Sequence, residues 1–131
     1  MVFIPGNLPL SVALIASQSR EKSNPPETVT PLLDPALPAD AAITVGETFY
    51  MAINILNDAE LEPTRTITWY ETTSGSPVRI DSHEGELSWT SAATTTAGTR
   101  SFRAEVINYT EGSTSKVAYS RVATVTISEA E

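Results

Sequence analysis

The stretch TRTITWYE, residues 64–71, alternates β-branched or aromatic residues with polar ones and is typical of a β-strand. Ile67 and Trp69 share one face, because successive side chains on a strand point to opposite sides of a sheet. The other face carries the side chains of Thr66, Thr68 and Tyr70. A tryptophan on such a strand is suited to anchor a sandwich core, so we predict that the other strands pack around Trp69.

Short alternating runs separated by turn signals continue through residues 42–131. Residues 49–56 alternate with a period of two, which predicts that the odd-numbered side chains are buried. The last strand, residues 116–127, changes parity at Val122, so we expect a bulge or twist near Arg121. About seven strands predict an all-β fold, an antiparallel sandwich of two sheets. The predicted core residues are Phe49, Ile53, Ile67, Trp69, Trp89, Phe102, Val106 and Val125.

Residues 1–41 differ in composition, because seven of the nine prolines lie there. Proline fixes φ and removes a hydrogen-bond donor, which predicts an extended segment, partly polyproline II. The segment is a disordered tail, a first strand wrapped on its own sandwich, or an arm that binds a neighbouring subunit. Its many aliphatic residues favour the arm. The predicted contacts of this arm with a partner are Phe3, Ile4, Leu8, Leu10, Leu14, Ile15, Leu32 and Leu33.

Composition excludes several classes of partner. The formal net charge of −8 argues against nucleic acid and against an anionic membrane surface, both of which need clustered Lys and Arg. The chain has no cysteine, so it has no disulfide framework and no thiolate metal site. It also lacks a run of 18 apolar residues, and residues 8–16 lack the basic flank of a signal peptide.

No catalytic or metal-binding pattern is evident. The single histidine, His83, stands among acidic residues, but a metal site needs three or four convergent ligands, and a polar turn ending at Gly85 is the better interpretation. Residues 57–62 are acidic but lack the spacing of a calcium loop, which favours a solvated loop. We therefore predict no enzyme activity, no metal and no cofactor. Asn108 begins a glycosylation sequon to which we give little weight.

Three segments resemble the immunoglobulin-like domains of bacterial surface proteins and tailed-phage structural proteins. These are VGET at 45–48 with the strand after it, ITWY at 67–70, and AGTRSFRAEVIN at 97–108. ATVTI at 123–127 fits the closing strand, so the resemblance covers residues 42–127. The chain departs from the pattern at Arg100, where such domains have a tyrosine, and in lacking the inter-sheet cystine.

A small acidic domain of this type with an apolar arm resembles the decoration, or cement, proteins on tailed-phage capsids. The resemblance implies a virion structural protein on the capsid surface, whose partners are the major capsid protein and sibling copies in a homo-oligomer. A trimer would fit the threefold sites that capsid shells offer. The alternative is a carbohydrate- or receptor-binding module of a phage tail or bacterial surface protein. Exposed aromatic residues would serve that function, and the candidates are Tyr70, Trp89 and Tyr109, although the parity that Trp89 shares with Leu87 favours the core for Trp89.

Overall fold

Eight short strands make up most of the regular structure in residues 27–130, the part of the chain that this computed structural model describes. The strands are β1 (Ala41–Thr44), β2 (Tyr50–Ala52), β3 (Thr66–Glu71), β4 (Val78–Arg79), β5 (Ser88–Thr90), β6 (Gly98–Asn108), β7 (Lys116–Tyr119) and β8 (Ala123–Ser128). The helical structure described is two single 3-10 turns, Asp58–Glu60 and Asp81–His83. The predicted all-β, immunoglobulin-like sandwich is thereby confirmed.

The strands form two sheets that face each other across one core. The larger sheet has the order β1-β8-β6-β3-β4, and β7 also pairs with β6; the smaller sheet pairs β2 with β5. The long strand β6 holds the larger sheet together, because β3 lies along one edge of it and β7 and β8 lie along the other. Most pairs are antiparallel, whereas β1 runs parallel to β8.

The core is centred on Trp69, which has no exposed surface. Its indole Nε1–H donates a hydrogen bond of 2.8 Å to the Glu86 carbonyl, so the buried polar atom is satisfied. The Trp89 ring meets Trp69 edge-on, with centroids 5.6 Å apart, and meets Phe102 edge-on at 5.6 Å. All eight core residues predicted from the sequence are buried: Phe49, Ile53, Ile67, Trp69, Trp89, Phe102, Val106 and Val125.

The single last strand predicted over 116–127 is divided into β7 and β8 by the expected bulge. Between the two paired regions, the three residues from Ser120 to Val122 face only two residues of β6. The extra residue reverses the parity, so Tyr119 lies on the outer face although Ala123 is buried. The Ser120 hydroxyl accepts a bond of 2.8 Å from the Ala104 N–H, which keeps that amide satisfied within the bulge.

The boundary predicted at residue 41 differs from the structure, because residues 28–41 are part of the sandwich. Leu33, predicted as an arm contact with a partner, forms an antiparallel bridge with Ile55 and packs against the hydrophobic core of its own domain. Leu32, by contrast, is 57% exposed. The other predicted arm contacts, Phe3, Ile4, Leu8, Leu10, Leu14 and Ile15, lie outside the described residues.

Two asparagines explain why this proline-rich segment lies on its own domain. Asn57 accepts a bond from the Leu32 N–H at 2.9 Å and donates one to the Thr30 carbonyl at 3.0 Å. Buried Asn108 donates to the Val29 carbonyl at 2.8 Å. These amides replace ladder bonds that the prolines cannot make, and they pair backbone groups of the segment that would otherwise lack a partner.

We expect Leu33→Ala to lower the free energy of unfolding by about 1–3 kcal/mol, because it removes a half-buried side chain from the core. Leu32→Ala is the matched control and should change stability by less than about 0.5 kcal/mol. Chemical unfolding measures both. Equal small effects of the two changes would show that residues 28–40 are not part of the folded domain.

Arg100 occupies an inward position of β6, on the same side of the sheet as Phe102. Its Nε and Nη2 donate two bonds of 2.8 Å to the carboxylate of Glu71 on β3. The guanidinium carbon lies 5.1 Å from the centroid of the Phe102 ring and 5.5 Å from that of Phe49. The residue that replaces the expected tyrosine therefore ties β6 to β3 by an ion pair above the core.

This ion pair predicts a loss of stability in acid. Hydrogen bonds from Arg100 lower the pKa of Glu71 from its ordinary value of 4.5. A lowered pKa in the folded state stabilises the protein above the unfolded value, and the contribution disappears as the pH falls through the lower folded pKa. We expect Glu71→Gln to flatten the decline in unfolding free energy below about pH 4.5, whereas the exposed control Glu111→Gln should leave it unchanged. Superimposable acid profiles for Glu71→Gln and the unaltered chain would contradict this role.

Candidate functional site

A groove of about 540 Å³ runs over the outer face of β3, on the side opposite to Trp69. Its floor is formed by the outward residues Thr66 and Thr68, and Tyr70 continues the same row. Cross-strand pairing places Glu105 of β6 beside Thr68, so the groove has a carboxylate along one side. The alternation of the TRTITWYE stretch thus gives β3 two uses, with an apolar side in the core and a polar side in the groove.

The second wall is an ion-paired turn. Arg79 of β4 pairs across the strands with Tyr70, and its guanidinium binds Asp81 at 3.0 Å and also binds Glu84. The Gly85 N–H donates a bond of 2.8 Å to the Ile67 carbonyl, which fixes this turn against β3. Gly85 has a φ of 83°, a conformation that favours glycine, so the close turn depends on this residue.

A tyrosine–arginine cluster of Tyr70, Arg103, Glu105 and Tyr119 lies on the same outer face beside the groove. The Arg103 guanidinium carbon is 4.6 Å from the ring centroid of Tyr119 and 5.9 Å from that of Tyr70. The Tyr70 hydroxyl donates a bond of 3.2 Å to Glu105. The cluster therefore holds two aromatic rings, a guanidinium and a carboxylate in fixed relative positions on a rigid sheet.

The environment of the cluster raises the pKa of both of its tyrosine hydroxyl groups. Burial, assisted by the negative charge of Glu105, raises the pKa of Tyr70. Hydrogen bonding to Glu105 and its charge raise the pKa of Tyr119. Both hydroxyls remain protonated at neutral pH and are available as hydrogen-bond donors or acceptors. Because cations and carboxylates alternate around the groove, its surface has no strong field of one sign to select an anion or a cation.

The residues that the sequence offered as possible binding or metal-site residues lie in different parts of the structure. Tyr70 is half-buried in the groove, and Tyr109 is exposed after β6, whereas Trp89 belongs to the core. His83 stacks on the Trp89 ring at 4.1 Å, and its Nδ1 bonds to Glu86 at 2.8 Å, as expected for a structural turn. Asp58 of the acidic loop is bound by Arg65 through two bonds, at 2.6 and 3.0 Å.

Sequence reasoning missed most of the groove, because its walls come from β4, β6 and the turn after β4. The available signal was the outward row Arg103 and Glu105 on β6, which pairs with Thr68 and Tyr70. In residues 27–130, no group of three or more His, Cys, Asp or Glu side chains converges to hold a metal ion. Within that same range, no helix combines the length and the apolar character that crossing a bilayer requires.

The comparisons with known proteins inform the fold. No protein-family profile matches this chain, and no curated protein matches its sequence. The chain is similar to the solved structure of SGBP-B from the Bacteroides ovatus mixed-linkage glucan utilization locus, in complex with mixed-linkage heptasaccharide. The TM-score is 0.54 at 18% identity over 81% of this chain. The matched region spans 26% of that protein, and the likeness establishes a shared β-sandwich architecture.

Proposed function

We propose that this domain is a non-catalytic carbohydrate-binding module whose ligand lies in the groove over β3. The observation that carries the proposal is the groove itself, which combines the Tyr70 ring with carboxylates and guanidinium groups on a rigid sheet. Carboxylates accept hydrogen bonds from sugar hydroxyls, guanidinium groups donate to them, and an aromatic ring packs on the apolar face of a sugar. An open groove suits a chain of sugars better than a single small molecule.

The balance of charge favours a neutral glycan. Arg79 is compensated by Asp81 and Glu84, and Glu105 lies near Arg103 on the same strand. Neighbouring groups of opposite charge offer both donors and acceptors without the net positive field that an anionic polymer would require. The architecture shared with SGBP-B, which was solved with a mixed-linkage heptasaccharide, adds support for this class of ligand.

A microarray of neutral and acidic oligosaccharides, probed with the full chain, tests the proposal. We expect binding to at least one neutral oligosaccharide, and we expect Glu105→Gln to weaken that binding, because the carboxylate loses acceptor capacity. Glu111→Gln, on an exposed turn away from the groove, is the matched control. Failure to bind any neutral glycan on a broad array would overturn the proposal.

A second candidate function, that of a capsid decoration protein, rests on an exposed apolar patch. Leu32 and Leu56 lie next to each other and are both more than half exposed, and the Leu56 N–H donates to the Leu32 carbonyl at 2.7 Å. Leu32 is close in sequence to residues 1–26, and the patch offers a contact for a shell protein or a sibling copy.

Deletion of residues 1–26 tests the second candidate, because residues 28–41 are part of the sandwich and must be kept. A decoration protein anchored by its terminal segment would fold normally without these residues and would no longer bind capsids. Capsid binding equal to that of the full chain would contradict anchoring by the segment.

A further inference from the structure

A second concave site lies at the beginning of β6, on the core side of the larger sheet. It is a cleft of about 240 Å³ whose walls include the rings of Phe49, Trp89 and Phe102. Residues 91–95 form its rim, and two alanines there leave the opening free of large side chains. The groove is lined by outward residues of β3, whereas the cleft is lined by Glu71 of the inward row, so the two sites are separate.

Among residues 27–130, Arg100 supplies the only guanidinium group lining the cleft, and its position is fixed. Its Nε and Nη2 bind Glu71, and the Phe49 and Phe102 rings lie within 5.5 Å of its guanidinium carbon. Nη1 makes no hydrogen bond to the described part of the chain. A guanidinium has two edges with paired donors, and the Nη1–Nη2 edge here is held in place before any ligand arrives.

The rim of the cleft is also held rigidly. The Thr94 N–H donates to the Glu47 carbonyl at 3.0 Å, and the Gly46 N–H donates to the Thr94 carbonyl at 2.9 Å. The Ser91 hydroxyl accepts from the Phe49 N–H at 2.9 Å. Trp89 is more than nine-tenths buried, and its Nε1–H has no acceptor among residues 27–130. A buried indole N–H without an acceptor is uncommon in folded proteins, so this wall of the cleft lacks the acceptor that such a donor normally has.

We infer that the cleft binds one neutral pyranose ring, with the Nη1–Nη2 edge of Arg100 donating to two neighbouring sugar oxygens. Glu71 neutralises Arg100, so a free carboxylate gains little charge attraction here. The aromatic walls suit the C–H faces of a sugar. The volume is below the roughly 300–1,000 Å³ of pockets for larger ligands, which limits the occupant to a single ring.

Nuclear magnetic resonance of the full chain provides a direct test, because the protein has two tryptophans and therefore two indole N–H signals. The probes are the methyl pyranosides of mannose, glucose and galactose, with sodium acetate as the carboxylate probe. We expect at least one pyranoside to shift the Trp89 signal in a saturable manner, while the signal of Trp69, bonded to Glu86, changes little. No saturable shift with any pyranoside, or a shift with acetate alone, would overturn the inference.

Three variants test whether the signal shift arises from binding in the cleft. Arg100→Lys keeps the charge but removes the paired donors, and we expect pyranoside binding at least about tenfold weaker. Ala93→Leu fills the exposed rim without touching the ion pair, so it should abolish binding even if Arg100→Lys destabilises the fold. Tyr70→Ala in the groove should leave this binding unchanged. Unaltered affinity in Ala93→Leu, or a loss in Tyr70→Ala, would contradict the assignment.

Discussion

Replacing Trp69 with alanine is expected to lower the free energy of unfolding by about 3–5 kcal/mol. The side chain is fully buried between the sheets, where its ring is perpendicular to that of Trp89 and its Nε1–H donates a hydrogen bond to the Glu86 carbonyl. Alanine would leave a cavity and an unpaired carbonyl, and both destabilise a closely packed core. Urea unfolding monitored by circular dichroism measures the change.

Two further variants help to interpret the result for Trp69→Ala. Trp69→Phe retains most of the apolar volume but removes the bond to Glu86, so its cost should lie between that of alanine and zero. Tyr109→Ala removes an exposed aromatic side chain and should change stability by less than about 0.5 kcal/mol. A loss below about 1 kcal/mol for Trp69→Ala would show that the core is not organised around this residue.

Tyr70→Ala should have the largest effect on binding of any groove variant, weakening glycan affinity by roughly 10- to 100-fold. Tyr70 supplies the ring in the groove and positions Glu105 through its hydroxyl. Because the side chain is only half-buried on an outer face, the fold should remain intact, which circular dichroism can verify. Calorimetric titration with a glycan identified on the array measures the affinity.

Two control variants distinguish the contribution of the Tyr70 ring to glycan affinity from that of its hydroxyl group, and test whether the effect is specific to the groove. Tyr70→Phe keeps the ring and should lose less affinity than alanine, in proportion to the role of the bond to Glu105. Tyr50→Ala removes an exposed tyrosine from the smaller sheet and should leave binding unchanged. Equal losses of glycan affinity for Tyr50→Ala and Tyr70→Ala would mean that the ligand does not bind specifically in the groove.

Much of the fold was predictable because side-chain alternation reports burial directly. The odd-numbered residues from Phe49 to Ile55 are all buried, and the parity change before Val122 marks the bulge. Leu87 is an exception: it shares parity with Trp89, yet it is 41% exposed, because β5 begins only at Ser88. Alternation predicts a face only within a strand, and it loses its meaning one residue beyond the end.

The arrangement of residues 28–41 was not predictable from local pattern. Proline content indicates an extended chain but does not indicate what that chain lies against. The deciding groups are Asn57 and Asn108, which are distant in sequence and look like ordinary loop residues. The same limit applies to the groove, since Arg79 and Glu105 come to line one groove only after the strands have paired.

Amide chemical-shift mapping of the full chain with soluble neutral oligosaccharides tests the groove most directly. Separate titrations with cello-, xylo- and manno-oligosaccharides and with a mixed-linkage glucan heptasaccharide cover the main linkages. We predict that at least one ligand produces saturable shifts concentrated on Thr66, Thr68, Tyr70 and Glu105. An absence of saturable shifts with every ligand, or shifts concentrated around Tyr50 on the smaller sheet, would contradict a glycan-binding groove over β3.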